Sequence, residues 1–249
     1  MSTPQSSHTS LSPRAEEFIA SVLNLGPRLA VFDCDGTLWS GDAGERFFYW
    51  EMERGLLPED VARWAKARYD DYRAGRVSEE QMCGEMVTIH AGLACAMLER
   101  AAAEFFAARI VPRIFPEMAE LTRRLADAGC ELWAISSTND WVVRAGAARF
   151  CIPAARVIAA CVENENGRCT DRLIRVPTDE LKAAAIHELL PRLPDAVLGN
   201  SVHDLAMMEL TKHAFAINPN PDLEKIARQR RWTVYRPEDI KTLRSQNEE

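Results

Sequence analysis

From Pro112 onward, short apolar runs alternate with stretches of helical period, and nothing else in the chain constrains its fold as tightly. A helical period near 116–128, closed by Gly129, leads to an apolar strand from Cys130 to Ser136; a helix starts around Asn139 and a strand follows near 156–162. Asn166-Gly167 marks a tight turn, read as a hairpin tip. The alternation resumes with a helix from Asp179 to Leu190, a strand from Ala196 to Gly199 and a helix from about Asp204. A strand from Ala214 to Ile217, a helix from Pro221 and a strand from Trp232 to Tyr235 complete it. Strands joined through helices run parallel, with right-handed crossovers that cover both faces of the sheet. The expected class is α/β, a doubly wound parallel sheet of about five or six strands.

Upstream, helical spacing of Phe18, Ile19, Val22 and Leu23 starts at Arg14 and stops at Gly26-Pro27, and the apolar strand Leu29 to Phe32 follows. That strand runs directly into Asp33-Cys34-Asp35-Gly36-Thr37, so two carboxylates emerge where a buried strand meets a glycine-containing turn. From residue 42 to about 110 every signal is helical, including Phe47, Phe48, Trp50 and Met52, with Ser78-Glu79-Glu80 as one helix start. The expected organisation is an α/β core over 14–41 and 111–245 and a helical insert over 42–110. Residues 1–13, rich in Ser, Thr and Pro, read as a disordered leader without the basic and apolar regions of a signal peptide. The end of the chain, Gln246 to Glu249, is expected to fray.

A length of 249 residues suffices to bury such a core without disulfides. The formal net charge of -7 argues against a chain whose main task is to grip nucleic acid or an anionic membrane. Seven scattered cysteines, odd in number and without a C-x-x-C pair, read as reduced thiols of a cytoplasmic protein. No apolar run reaches the roughly 18 residues of a membrane span.

In sheets of this kind ligands bind beyond the carboxyl ends of the strands, where the polar groups of interest fall. Asp33 and Asp35, two residues apart on an extended turn, can face one pocket. One carboxylate can attack an electrophile beside a cation while the other handles the leaving group's proton; a lone Asp-Gly after a strand is otherwise an ordinary turn. Ser136 ends its strand ahead of a helix, where a hydroxyl and free backbone N–H groups favour an anion, although Ser136-Ser137-Thr138-Asn139 also reads as a plain cap cluster. Lys182, at the start of the helix before the Ala196 strand, can neutralise carboxylate and anion together or sit solvated on that helix. His203 reads as a loop or packing residue and not as an acid or base.

The string Phe32 to Leu38 resembles the first motif, D-x-D-G-T, of the haloacid dehalogenase superfamily. Ser136, Lys182 and the run Gly199-Asn200-Ser201-Val202-His203-Asp204 resemble its second, third and fourth motifs in order. The insert over 42–110 resembles the α-helical cap of the phosphoserine-phosphatase-like branch, as does the later string Ala216-Ile217-Asn218-Pro219-Asn220-Pro221. The resemblance implies a magnesium-dependent phosphatase that hydrolyses a small phosphate monoester through an aspartyl-phosphate. It implies Asp33 as nucleophile and metal ligand, and Asp35 as general acid and base with a metal contact through its backbone carbonyl. Ser136 and Lys182 would then hold the phosphate. Asn200 departs from the usual G-D-x-x-x-D; its amide oxygen can still ligate magnesium, but one negative charge is missing, which leaves Asp204 as the surer ligand.

Asp42, nine positions after Asp33, matches the residue that contacts a substrate ammonium in that branch, and Arg76 or Arg73 the cap arginine on its carboxylate. All three also fit as solvated surface residues. A dehalogenase of the same fold is disfavoured by Asp35, which that chemistry does not need; a phosphosugar mutase stays open. From a different class, a binding or regulatory protein without turnover finds its support in Asn200. The expected partner is a small phosphorylated metabolite.

Overall fold

The computed structural model describes residues 11–238, so the leader up to residue 10 and the fraying end at Gln246 to Glu249 lie outside the described residues. Helix α1, Pro13–Leu23, begins one residue before the expected start. The Ser12 hydroxyl accepts the Ala15 N–H at 3.2 Å, and Pro13, which has no N–H to leave unpaired, occupies the first turn. Ala15, Phe18, Ile19 and Val22 form its buried stripe.

Strand β1, Leu29–Phe32, is buried at every residue, as a central strand covered on both faces must be. It pairs in parallel with β2, Glu131–Asn139, on one side and with β5, Ala196–Gly199, on the other. Outward from β2 lie β3, Val157–Glu165, and β4, Arg168–Arg175. Outward from β5 lie β6, Ala214–Ile217, and β7, Thr233–Tyr235. The order is β4-β3-β2-β1-β5-β6-β7. All pairings are parallel except β3 with β4.

The doubly wound sheet is the one the alternation implies, with an edge strand added. Asn166 and Gly167 both take positive φ, 52° and 80°, and so close a tight hairpin that turns β4 back against β3. Most of β4 is exposed or half-exposed, so it carries no apolar run that would announce a strand.

Alternate residues of the central strands feed opposite cores. Ala30, Phe32, Ala134 and Leu198 pack with α1, with α6 (Pro116–Asp127) and with α7 (Asp140–Ala147). Leu29, Val31, Ile135 and Val197 pack with α8 (Glu180–Leu189), α9 (Leu205–Met208) and α10 (Pro221–Arg230).

Between β1 and β2 run α2 (Ala43–Glu53), α3 (Glu59–Arg73), α4 (Glu79–Thr88) and α5 (Cys95–Phe105). The last continues through a π turn over Phe106–Ile110. Phe47, Trp50 and Phe105 join the larger core, while Phe48, Leu57, Ala65 and Ile89 form a small one of their own. The loop before α5 is stitched to the hairpin by backbone bonds, Gly92 N–H to Cys169 O at 2.8 Å and Cys169 N–H to Leu93 O at 2.9 Å. Helices α2, α3 and α4 and the carboxyl ends of β1, β2 and β5 share one cavity. Among the described residues, no helix is long and apolar enough to cross a membrane.

Candidate active site

Asp33 is the first residue past β1, and its N–H continues the sheet by donating to Leu198 O at 2.9 Å. The chain then folds back at once: the N–H groups of Thr37 and Leu38 both donate to Cys34 O, and Gly36 takes φ 76°. A side chain at Gly36 would meet Asn200, because a Cβ there would lie 2.0 Å from Asn200 Nδ2. Glycine is required twice over, for the left-handed backbone and for the approach of the β5 loop.

Around Asp33 the fold builds a buried charge triad. Lys182 Nζ, on the first turn of α8, lies 2.8 Å from Asp33 Oδ1 and 2.6 Å from Asp204 Oδ1. All three side chains are nearly sealed, with residue exposures of 5% for Asp33, 2% for Lys182 and 0% for Asp204. The other oxygen of Asp33 accepts the Thr37 hydroxyl at 2.9 Å. Burial would strip Lys182 of its proton, but Asp204 and then Asp33 outweigh that and hold it well above the usual lysine range. Burial, followed by the repulsion of Asp204, pushes Asp33 up to about 6 in spite of Lys182.

Asp35 is gripped from three directions. Its Oδ1 accepts the Trp39 indole N–H and the Ala43 N–H, each at 2.6 Å, and its Oδ2 accepts the Thr138 hydroxyl at 2.7 Å. Burial, then the charge of Asp42, push its carboxyl up to about 7, where it can both give and take a proton near neutrality. Ser136 sits on β2 facing the same cavity, 2% exposed, with its hydroxyl accepting the Thr138 N–H at 3.2 Å. The strand continues past it with a register shift between Ser136 and Asn139, and Asn139 caps α7 by accepting the Val142 N–H at 3.0 Å.

The candidates from the fourth motif divide. Asp204 Oδ2 accepts the N–H groups of Asn200 and Ser201 at 2.8 and 3.0 Å, while its Oδ1 goes to Lys182. Asp204 therefore ties the loop to the lysine, whereas Asn200 lines the cavity against the Asp33–Asp35 turn. His203, at the rim, puts Nδ1 2.8 Å from Asp179 Oδ1.

The structure brings Asp33, Asp35, Ser136, Lys182, Asn200 and Asp42 together around a cavity of about 390 Å³, a volume suited to a small metabolite. Asp42 caps α2, accepting the Glu45 N–H at 2.8 Å. Arg73 and Arg76 are not brought there. Arg76 is exposed and pairs with Asp71 at 2.6 Å, and Arg73 pairs with Glu45 while its guanidinium lies 5.2 Å from the centre of the Tyr69 ring.

Several lining residues carry no signal in the sequence. Thr138 reaches Asp35 across 103 residues, and Glu51 meets His90 at 2.9 Å with both side chains 1% exposed. Tyr69, Tyr72 and Glu79 reach the cavity from α3 and α4. Thr37, inside the first motif, was within reach of a sequence pattern, and Trp39 follows one residue after that motif.

Comparison with known proteins matches residues 30–209 to the family described as haloacid dehalogenase-like hydrolase. A histidinol-phosphatase of Neisseria meningitidis is 28% identical over 218 residues, 83% of this chain and 97% of that protein. A phosphoserine phosphatase of Mycobacterium tuberculosis is 26% identical over 82% of this chain and 69% of its own length. The crystal structure of a Bordetella pertussis protein of unknown function superposes with a TM-score of 0.74 at 26% identity, covering 86% of this chain and 98% of that one.

Proposed function

We propose, because this chain belongs to the haloacid dehalogenase-like hydrolase family and is a hydrolase of phosphate monoesters, that it cleaves a small phosphate ester through a phosphorylated Asp33. The observation that carries the proposal is the pairing of two carboxylates in one cavity with different surroundings. Asp33 is anchored by Lys182 and Thr37, whereas Asp35 is held in place by Trp39, Ala43 and Thr138 and raised to about 7 by burial and then by the charge of Asp42.

Asp33 attacks phosphorus, its new bond to phosphorus forming as the bond to the ester oxygen breaks, and Asp35 gives its proton to the departing alkoxide. Asp35 then takes a proton from water, whose oxygen attacks the same phosphorus. The Asp33–phosphorus bond breaks, inorganic phosphate leaves, and both carboxylates return to their starting states. Lys182 and the Ser136 region offset charge on the phosphoryl oxygens throughout. Helices α2 to α5 act as a cap that excludes bulk water and selects the substrate.

The Asp33 carboxylate, the Asp35 backbone carbonyl and the Asn200 amide oxygen are hard oxygen donors that would hold a magnesium ion. Among the described residues no three His, Cys, Asp or Glu side chains gather into a ready cage. When bound, the ion supplies positive charge against the phosphoryl oxygens. Asp204, the ligand preferred from the sequence pattern, serves in this proposal to position Lys182.

The decisive test is Asp33→Asn. Turnover should fall by about a thousandfold or more. Acid quenching of the native protein with a phosphorus-labelled ester should trap label on the protein, and the variant should trap none. Labelling that survives in the variant would refute the nucleophile. Phosphoserine and histidinol phosphate, which the names of relatives suggest, are the first esters to try.

A further inference from the structure

We propose that Cys95 and Cys169 form a reversible oxidation site, closed by a peroxide into a disulfide that fastens the helical insert to the β3–β4 hairpin. Their Sγ atoms lie 3.2 Å apart across 74 positions of sequence. A sulfur–sulfur bond of about 2 Å therefore needs only about 1 Å of approach, which small rotations of the two side chains supply. Among the described residues, no other pair of cysteine sulfurs is in contact.

The backbone already holds the two residues in place. Ala94 and Arg168 face each other in an antiparallel bridge. Around it the Cys95 N–H donates to Gly167 O at 2.9 Å, and the Cys169 N–H donates to Leu93 O at 2.9 Å. Each cysteine follows the bridged residue on its own segment, so both side chains leave the same face of this small two-stranded patch. That face is buried: Cys95 is 8% exposed and Cys169 3%. Cys95 is the first residue of α5, and Cys169 is the one buried residue of β4. The bond would form where an otherwise exposed edge strand enters the core, next to stitches made by backbone alone. The remaining thiols lack such a partner. Burial, and then Asp33 and Glu79 respectively, push Cys34 and Cys83 well above the usual thiol range, while Cys151 is exposed but alone.

The chemistry balances with hydrogen peroxide as the oxidant. The Cys95 sulfur, the more exposed of the two, attacks one peroxide oxygen. The O–O bond breaks, a sulfenic acid forms on Cys95, and the other oxygen leaves as water with the thiol proton. Burial and then Cys95 push Cys169 up to about 12, so it stays a thiol until the sulfenic acid forms beside it. Its sulfur then attacks Cys95 Sγ, the S–O bond breaks, and the departing hydroxyl takes the Cys169 proton to leave as a second water. The two sulfurs lose two electrons and the peroxide gains them; a dithiol returns both thiols. Neither cysteine lines the cavity, so the bond acts on the fold: it closes the loop from 95 to 169 and removes freedom from the unfolded chain.

The test treats the full chain with hydrogen peroxide, alkylates the thiols that remain, and maps the peptides by mass spectrometry. A peptide pair joined through Cys95 and Cys169, lighter by two hydrogens and separated by dithiothreitol, is the expected product. The oxidised protein should melt about 4–16 °C higher than the reduced one, and dithiothreitol should remove the gain. In Cys169→Ala the sulfenic acid on Cys95 should persist and be trapped by dimedone, and peroxide should no longer raise the melting temperature. Should that variant fail to fold, the peptide map and the melting shift of the native chain decide alone. Alkylation of both Cys95 and Cys169 after peroxide has oxidised the exposed Cys151 overturns the proposal. So does a joined pair without a rise in melting temperature, or a rise that persists in Cys169→Ala.

Discussion

Replacing Lys182 with methionine tests how the site is held together. The ammonium is 2% exposed and bridges Asp33 and Asp204 at 2.8 and 2.6 Å, so methionine keeps most of the volume while leaving two buried carboxylates facing each other. Removing one partner of a buried ion pair costs about 3–5 kcal/mol, because the stranded charge loses its compensation without regaining water. For a chain of this size, each kcal/mol moves the midpoint by about 2–4 °C, so the melting temperature should drop by roughly 6–20 °C. Thermal unfolding should be followed with a chelator present, so that no added cation takes the place of the ammonium. The double variant Lys182→Met with Asp204→Asn should recover about half of the loss, because it removes one of the two stranded charges. A Lys182→Met protein within about 1 kcal/mol of the native one would refute the idea that the lysine neutralises this pair, as would a double variant less stable than the single one.

Other consequences can be checked independently. Asn200→Asp restores a negative charge beside the Asp33–Asp35 turn and should lower the magnesium concentration for half-maximal activity by about tenfold or less; a rise would remove Asn200 from the metal site. Gly146→Ala on α7 would place its Cβ 2.3 Å from Phe106 Cζ. The ring must move, so the variant should lose about 1–3 kcal/mol in denaturant unfolding, and an unchanged midpoint would show that α7 and the π turn do not meet so closely. Glu120 on α6 accepts from Arg123 and then Arg124, which pull its carboxyl down to about 2 from 4.5. A depressed folded-state value gives stability that is present above 4.5 and lost as pH falls toward 2. With solvent screening, Glu120→Gln should cost about 1 kcal/mol at neutral pH, and the gap from the native protein should close on acidification; a gap independent of pH would refute the assignment.

Residue pattern alone was enough for the sheet, since β1 and β5 are short apolar runs bounded by turn residues and the helices between strands keep their period. It was also enough for Asp33 and Asp35, because their signal is contiguous: a buried strand, two carboxylates and a glycine within seven residues, Phe32 to Leu38. The hairpin turn was visible in Asn166-Gly167, but β4 was not, because its stability comes from pairing with β3 and from the stitches to the loop before α5, and not from its own apolar content.

What only the tertiary structure decided is which partners each charged group meets. Lys182 reaches Asp33 across 149 residues, and Thr138 reaches Asp35 across 103. Periodicity places a side chain on a face of a helix or strand, but it does not say which distant group that face will meet. The same limit explains the partners of Asp204, whose oxygens meet Lys182 and the backbone of its own loop. It explains Arg76 as well, which the cap pattern sends toward substrate and the fold sends to Asp71. The sequence by itself determined the sheet and the two carboxylates placed at the end of its central strand, because local pattern encodes burial and turns. The wall of the cavity, with its excess of carboxylates, arose only when α2, α3 and α4 were laid over the strand ends, because electrostatic partnership is settled by long-range packing.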